Sequence, residues 1–276
     1  MSEQLAVDHI VVRVDDLSEA SRAYEALGFT VTPGGRHPGL GSENALVCFA
    51  DGVYLELIAF ARPVARQTNE RKQQRMRRLA DAGRPIAVSR HCSWEEATAG
   101  LVDFALVPKD LGVAIREAKR RGLSLHGPFP GGRKRPDGEE VAWQLAVAET
   151  FDLPFLCADV TPRSLRVPAG EASRHANGAV GLARLAVAVE NLETSRRRYQ
   201  ALLGDAFRLA SSAESNEPDS CSFKLGNVTI VLVGPNHPLF QEAGGDEGPC
   251  AVWLKRDQRA SRTSVRMARD GIRFEE

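Results

Sequence analysis

Four stretches of this chain repeat one plan, and a repeat limits the possible folds more than any single motif can. Residues 8–31 (DHIVVRVDDLSEASRAYEALGFTV) and 183–208 (ARLAVAVENLETSRRRYQALLGDAFR) each read as a short apolar strand, an acidic or amide residue followed by Leu, and a helix carrying Tyr at the same place, ending in Ala-Leu and Gly. Residues 102–126 and 249–275 follow the same plan. Asp16, Asp110, Asn191 and Asp257 stand where a short polar side chain caps the first free amides of a helix. Gly28, Gly122 and Gly271 stand where a left-handed residue ends one, and Gly204 does so with one extra residue. Two copies continue into hairpins across Asp51-Gly52 and Gly226-Asn227, pairs that tolerate a tight turn. Copy two continues as EVAWQLAVA and LPFLCADV, whereas copy four stops after its second strand.

The expected fold is therefore α+β, with repeated βαβββ modules paired into curled mixed sheets and the last module truncated. Residues 1–160 form a paired-module half, with modules at 5–60 and 101–160 joined by a helical connector at 61–100. The run RQTNERKQQRMRRLADAG in that connector reads as a solvated helix ending near Gly83. Residues 161–182, rich in Pro, Gly, Ser and Ala, read as a linker. Residues 183–276 form a second, degenerate half, made of a module at 183–235 and a partial one at 249–276.

Lys+Arg and Asp+Glu both number 36, so no net field favours nucleic acid or an anionic membrane. The five cysteines are scattered and never form C-x-x-C, which points away from a disulfide framework or cysteine-rich zinc site and toward a reducing compartment. The beginning, MSEQLAVDHIVV, has neither a basic region nor a long apolar run, and no stretch approaches the roughly 20 apolar residues of a membrane span. A cytoplasmic protein is the expectation. Exposed sheet edges are compatible with a homodimer.

LAVDHIVVRVDDL, the loop GGRHPGLGSENAL (34–46), YLELIAF, RKRPDG (133–138) before AWQLA, and HANGAVGLARL (175–185) together resemble the glyoxalase-like domain family of the vicinal oxygen chelate superfamily. The resemblance spans most of residues 5–235. It implies paired modules curled into a half-barrel around a cleft that takes a small molecule. It also implies a divalent metal (Zn, Fe, Mn or Ni) held between strand positions that carry His9 and Glu56, with Asp103 at the corresponding place in module two. Arg184 and Val231 occupy those places in copy three, which implies that the site there is lost.

Strand alternation puts His9, Val11 and Arg13 on one face and Tyr54, Glu56 and Ile58 on another. Glu56 then sits among apolar neighbours, where a metal, a cation or a proton must satisfy it. Glu56 is also the candidate catalytic base. Arg36, His37 and Asn44 in the glycine-rich loop are candidate substrate contacts, as are Tyr54 and one of Trp143 and Gln144, which face opposite ways. Arg133 and Arg135, in a loop that leads into Trp143, could with it hold an anionic or flat substrate, but the preferred reading of the arginines is a solvated turn. His91, His126, His175 and His237 receive no chemical role. The leading functional expectation is a metal-dependent lyase or isomerase acting through an enediolate-like intermediate. A metal-free protein that binds or sequesters a small molecule is the alternative, and an extradiol dioxygenase the third.

Overall fold

The computed structural model describes residues 5–61, 71–209, 218–257 and 271–274. The chain runs β1 (Ala6–Arg13), α1 (Leu17–Ala26), β2 (Thr32–His37), β3 (Ser42–Cys48), β4 (Tyr54–Phe60), α2 (Lys72–Asp81), α3 (Ile86–Glu95), β5 (Gly100–Val107), α4 (Leu111–Arg120), β6 (His126–Lys134), β7 (Glu140–Val147), β8 (Phe155–Asp159), α5 (Arg163–Arg166), β9 (Ala179–Ala188), α6 (Leu192–Leu203), β10 (Ser220–Leu225), β11 (Val228–Val233), α7 (Pro238–Glu242), β12 (Gly248–Arg256) and β13 (Ile272–Phe274). Asp16, Asp110 and Asn191 cap α1, α4 and α6 by accepting from the backbone amides of Glu19, Val113 and Thr194. Those bonds satisfy amides that a helix leaves unpaired at its start.

The first eight strands close into a barrel in the order β1-β4-β3-β2-β6-β7-β8-β5, rather than the open half-barrel expected. The seams are the antiparallel β1–β5 pairing and a single bridge between Arg36 and Lys134. The remaining strands form a five-stranded sheet in the order β10-β11-β9-β12-β13. The helix expected after Asp257 lies outside the described residues.

Alternation along the strands sorts side chains into two layers. The outward rows of the barrel (Ile10 and Val12, Leu55 and Leu57, Phe104 and Leu106) join Tyr24 of α1 and Ala114 and Ala118 of α4. The same apolar cluster continues into Leu185 and Val187 of β9, Tyr199 and Leu202 of α6, and Val252 of β12. Each fully buried side chain of this size contributes roughly 1.5–3 kcal/mol by leaving water. The inward residues Val11, Ile58, Ala105, Val147, Phe155 and Cys157 pack instead with Met76 of α2 and Trp94 of α3.

Two connectors differ from expectation. The described part of the connector, from residue 71, is a pair of helices, and α2 is not a solvated helix, since Lys72, Arg75 and Met76 are buried. The buried cations are tolerated because Lys72 Nζ donates to Val102 O at 2.8 Å and Arg75 Nη1 to Ser93 O at 2.7 Å. The stretch at 161–182 folds into α5 and the beginning of β9, and it carries an almost fully buried arginine, Arg166. Among the described residues, no helix is long and apolar enough to cross a membrane.

Candidate functional site

The barrel encloses a cavity of about 610 Å³. Its polar side begins at the start of β1, where the register against β5 shifts between Val7 and His9. Neighbouring residues in a regular strand face opposite ways, but here Asp8 Oδ2 reaches His9 Nδ1 at 2.7 Å. Asp8 is fully buried. It also accepts from Arg166 Nη1 at 2.8 Å and from Arg163 Nη1 at 2.5 Å. Burial alone would raise the Asp8 pKa; Arg166 and the bond to His9 outweigh it and hold the carboxyl ionised, well below the usual range. Arg166 in turn donates to Asp159 at 2.5 Å and to the Tyr54 hydroxyl at 2.7 Å. With Nδ1 held by Asp8 and the ring stacked on Tyr54 at 4.7 Å, His9 presents Nε2 to Glu56 Oε2 at 3.5 Å.

Glu56 is likewise buried, and its other oxygen accepts from Asn44 Nδ2 at 2.5 Å. Gly34 makes room for that amide, because a Cβ there would fall 2.1 Å from Asn44 Oδ1. His37 Nε2 stands 3.7 Å from Glu56 Oε1. Burial pushes the Glu56 pKa up, yet His9, His37, Asn44 and Arg133 outweigh it and the net direction is down, so the carboxylate is ionised. His37 is pushed down chiefly by burial, which keeps it neutral. Its Nδ1 meets Ser42 Oγ at 3.0 Å, and Ser42 Oγ meets His91 Nε2 at 3.0 Å. His91 is itself pushed down to about 3 by burial and by His37. Glu56, His37, Ser42 and His91 thus form a chain from the cavity to α3.

Trp94, Phe129, Trp143 and Phe155 make much of the cavity lining aromatic, with Phe155 against His9, Trp143 against His37 and Trp94 against His91. Trp143 is fitted against the backbone of Gly131, where a Cβ would lie 2.2 Å from the indole Nε1. Arg133, far from being a solvated turn residue, is 4% exposed and lines the cavity.

His9, Glu56, His37, Tyr54 and Trp143 are brought together at the cavity, with Asn44 behind Glu56. Arg36 and Gln144 are not. Arg36 follows the outward face of β2, exposed beside Glu43, while His37 takes the inward one. Gln144 is exposed on the outside of β7, leaving Trp143 within. Asp103 is also unavailable as a ligand. Counting from the helix caps equates it with His9, and the register agrees, since His9 opposite Ala105 and Val11 opposite Asp103 are the same pair with the two strands exchanged. Asp103 is fully buried, and both oxygens accept from Arg90 at 2.7 Å while Oδ2 also accepts from Trp94 Nε1 at 3.1 Å.

Sequence reasoning passed over Asp8, Arg90 and Arg166, gave His91 no role and preferred a solvated turn for Arg133. The available signals were the acid preceding His9 and the paired arginines of PRSLR behind a proline.

The expected three-ligand metal set does not fit. Among the described residues, no three His, Cys, Asp or Glu side chains are placed to hold a metal ion. The burial of Glu56, which called for a counter-charge, is answered by Asn44, two imidazoles and the Arg133 guanidinium.

Residues 7–203 match the family model described as a glyoxalase-like domain. A comparison with curated proteins by sequence gives no match. A hypothetical protein from Staphylococcus aureus superposes with a TM-score of 0.70 at 16% identity, covering 98% of this chain and 99% of that one. A mutant 4-hydroxymandelate synthase from Streptomyces coelicolor gives 0.55 at 17% identity, over 91% of this chain and 71% of its own. A xylose isomerase-like TIM barrel/4-hydroxyphenylpyruvate dioxygenase fusion protein gives 0.52 at 15% identity, with 94% of this chain covering 37% of that one. At these identities the likeness is one of fold.

Proposed function

The chain belongs to the glyoxalase-like domain family of the vicinal oxygen chelate superfamily, and from that premise we propose that it binds a small organic molecule inside its first barrel without a metal cofactor. The cavity, of about 610 Å³, supports this reading: it combines an aromatic lining with the compensated Glu56 cluster. That volume lies within the range of small-molecule sites, which are mostly apolar with a few convergent polar groups. Trp94, Trp143 and Phe155 supply flat contact area, and Glu56, His9 and His37 supply orientation.

The test is a thermal-shift screen of neutral, cationic and anionic aromatic compounds, run beside metal analysis of untagged protein and a His9→Ala/Glu56→Ala variant. Stabilisation of metal-free wild type by at least one compound class is expected. Near-stoichiometric metal in the wild type, lost in the variant, would sink the metal-free reading and assign His9 and Glu56 to a metal, with His37 as the nearest further donor. Absence of stabilisation by any class would sink the binding reading.

The Glu56–His37–Ser42–His91 chain favours a second reading, in which Glu56 takes a proton from the bound molecule and the imidazoles relay it. For any compound the screen identifies, solvent deuterium should exchange into an acidic C–H with wild type and not with Glu56→Gln. Equal exchange by both would refute this reading.

A further inference from the structure

Three buried arginines stand at the cavity wall, and two have their charges matched. Arg90 is paired with Asp103, and Arg166 with Asp8 and Asp159. Arg133 is not so matched. Among the described residues its one hydrogen bond runs from Nη2 to the Arg166 carbonyl at 2.8 Å, its Nε finds no acceptor, and no carboxylate forms an ion pair with it. Glu56 acts on it only through the longer-range field. A guanidinium 4% exposed and without a paired anion is costly, and burial accordingly lowers its pKa.

The local sequence places this charge deliberately near an aromatic face. On β6, Gly131 and Arg133 share the inward side and lie opposite Trp143 and Val141 of β7. The glycine lets the indole lie against the strand, so that the flat ring and the guanidinium border the same space. His37 meets the Trp143 ring edge-on at 6.1 Å, which closes the far side.

We infer that the ligand of this cavity is a flat aromatic carboxylate whose anionic group is received by Arg133 and whose ring lies against Trp143. This rests on the small-molecule reading above and names its substrate class. A guanidinium receives a carboxylate through charge-assisted hydrogen bonds that a neutral amide of the same shape does not make.

The matched probes are 2-naphthoate and 2-naphthamide, titrated calorimetrically into the full chain and into Arg133→Gln and Arg133→Lys. Wild type should bind the carboxylate about ten-fold or more tightly than the amide. Arg133→Gln should remove that preference while leaving amide affinity within about two-fold, and Arg133→Lys should keep part of it. Since no carboxylate forms an ion pair with the removed charge among the described residues, and Asn44 and the two imidazoles still compensate Glu56, Arg133→Gln should melt no lower than about 2 °C below wild type, which separates ligand recognition from a structural role. Equal affinity for both probes in the wild type, or a preference that survives Arg133→Gln, would overturn the assignment. If neither probe binds while neutral compounds stabilise the protein in the screen, the carboxylate assignment falls and the cavity reading stands. If no compound of any class binds, both fall.

Discussion

Replacing Asp103 by Ala tests whether this carboxylate is structural, as its contacts require, or available for chemistry. The side chain accepts two bonds from Arg90 at 2.7 Å, one from Trp94 Nε1 at 3.1 Å and one from the Phe104 amide at 2.8 Å. Asp103 and Arg90 are 0% and 1% exposed, so water cannot take over. Removing one partner of a buried ion pair costs about 3–5 kcal/mol, because the other charge stays behind unpaired. Arg90 would keep the carbonyls of Ala148, Thr150 and Leu153, which favours the lower end. The stranded indole and amide donors add about 1 kcal/mol each. A loss of about 5 kcal/mol, or on the order of 10 °C in Tm, is therefore expected by urea and thermal denaturation. Metal content should not change. The double variant Arg90→Met/Asp103→Leu should lose far less than the two single changes together, since it buries no orphan charge. A single-variant loss below about 1 kcal/mol, or an additive double variant, would refute the structural assignment.

Acid should weaken the protein through its cavity imidazoles. His91 falls from 6.5 to about 3 and His37 also falls, so between those values the unfolded chain binds more protons than the folded one. Their contribution is complete above about pH 6.5 and declines as pH falls toward 3, which urea midpoints in matched buffers will show; a midpoint flat from pH 7 to 4 would contradict it. Glu247 behaves oppositely, being pushed from 4.5 up to about 7 by burial and by Asp152. Its charged form costs stability as pH rises through that window, so Glu247→Gln should gain about 1–3 kcal/mol at pH 8 and nothing at pH 4. A variant no more stable than wild type at pH 8 would count against the burial of this charge. Gly131→Ala should drive the Trp143 indole off the strand, shifting tryptophan emission and costing about 1–3 kcal/mol by overpacking; an unchanged spectrum would mean the ring has room to spare.

The modules were legible because helix caps, glycine stops and hairpin turns are local devices, and Asp16, Asp110 and Asn191 act where the pattern puts them. His9, Glu56, His37, Tyr54 and Trp143 were legible through strand alternation joined to a family resemblance. What failed was register. Arg36 and Gln144 each neighbour an inward residue, and one step along a strand reverses the face. Asp103 does stand where counting from the caps puts it, but its oxygens are taken by Arg90 and Trp94, partners that no cap position marks. The burial of α2, and the helices α3 and α5, were hidden for a different reason. Arg90 and Arg166 matter through partners remote in sequence, such as Asp8, which lies 158 residues before Arg166. No local pattern marks such pairs.

The two halves also show what keeps a cavity open. In β9, Arg184 stands opposite Thr229 and Ala186 opposite Val231, the register that sets His9 opposite Tyr54 and Val11 opposite Glu56 in the barrel. There, Arg184 lies over Trp253 at 5.1 Å, while Leu239 and Phe240 of α7 pack on Ala186, Ala188 and Ala251. With small and apolar residues in place of the polar pair, that face is filled by the protein's own side chains. The barrel cannot collapse in the same way, since His9, Glu56 and Arg133 are held inside it by partners fixed in its wall. Asp8, Asn44 and the Arg166 carbonyl anchor each of them to the strands or to α5. A buried polar group held open at such expense is maintained for a ligand rather than for stability. Arg133, with which no carboxylate forms an ion pair among the described residues, marks where that ligand supplies its own charge.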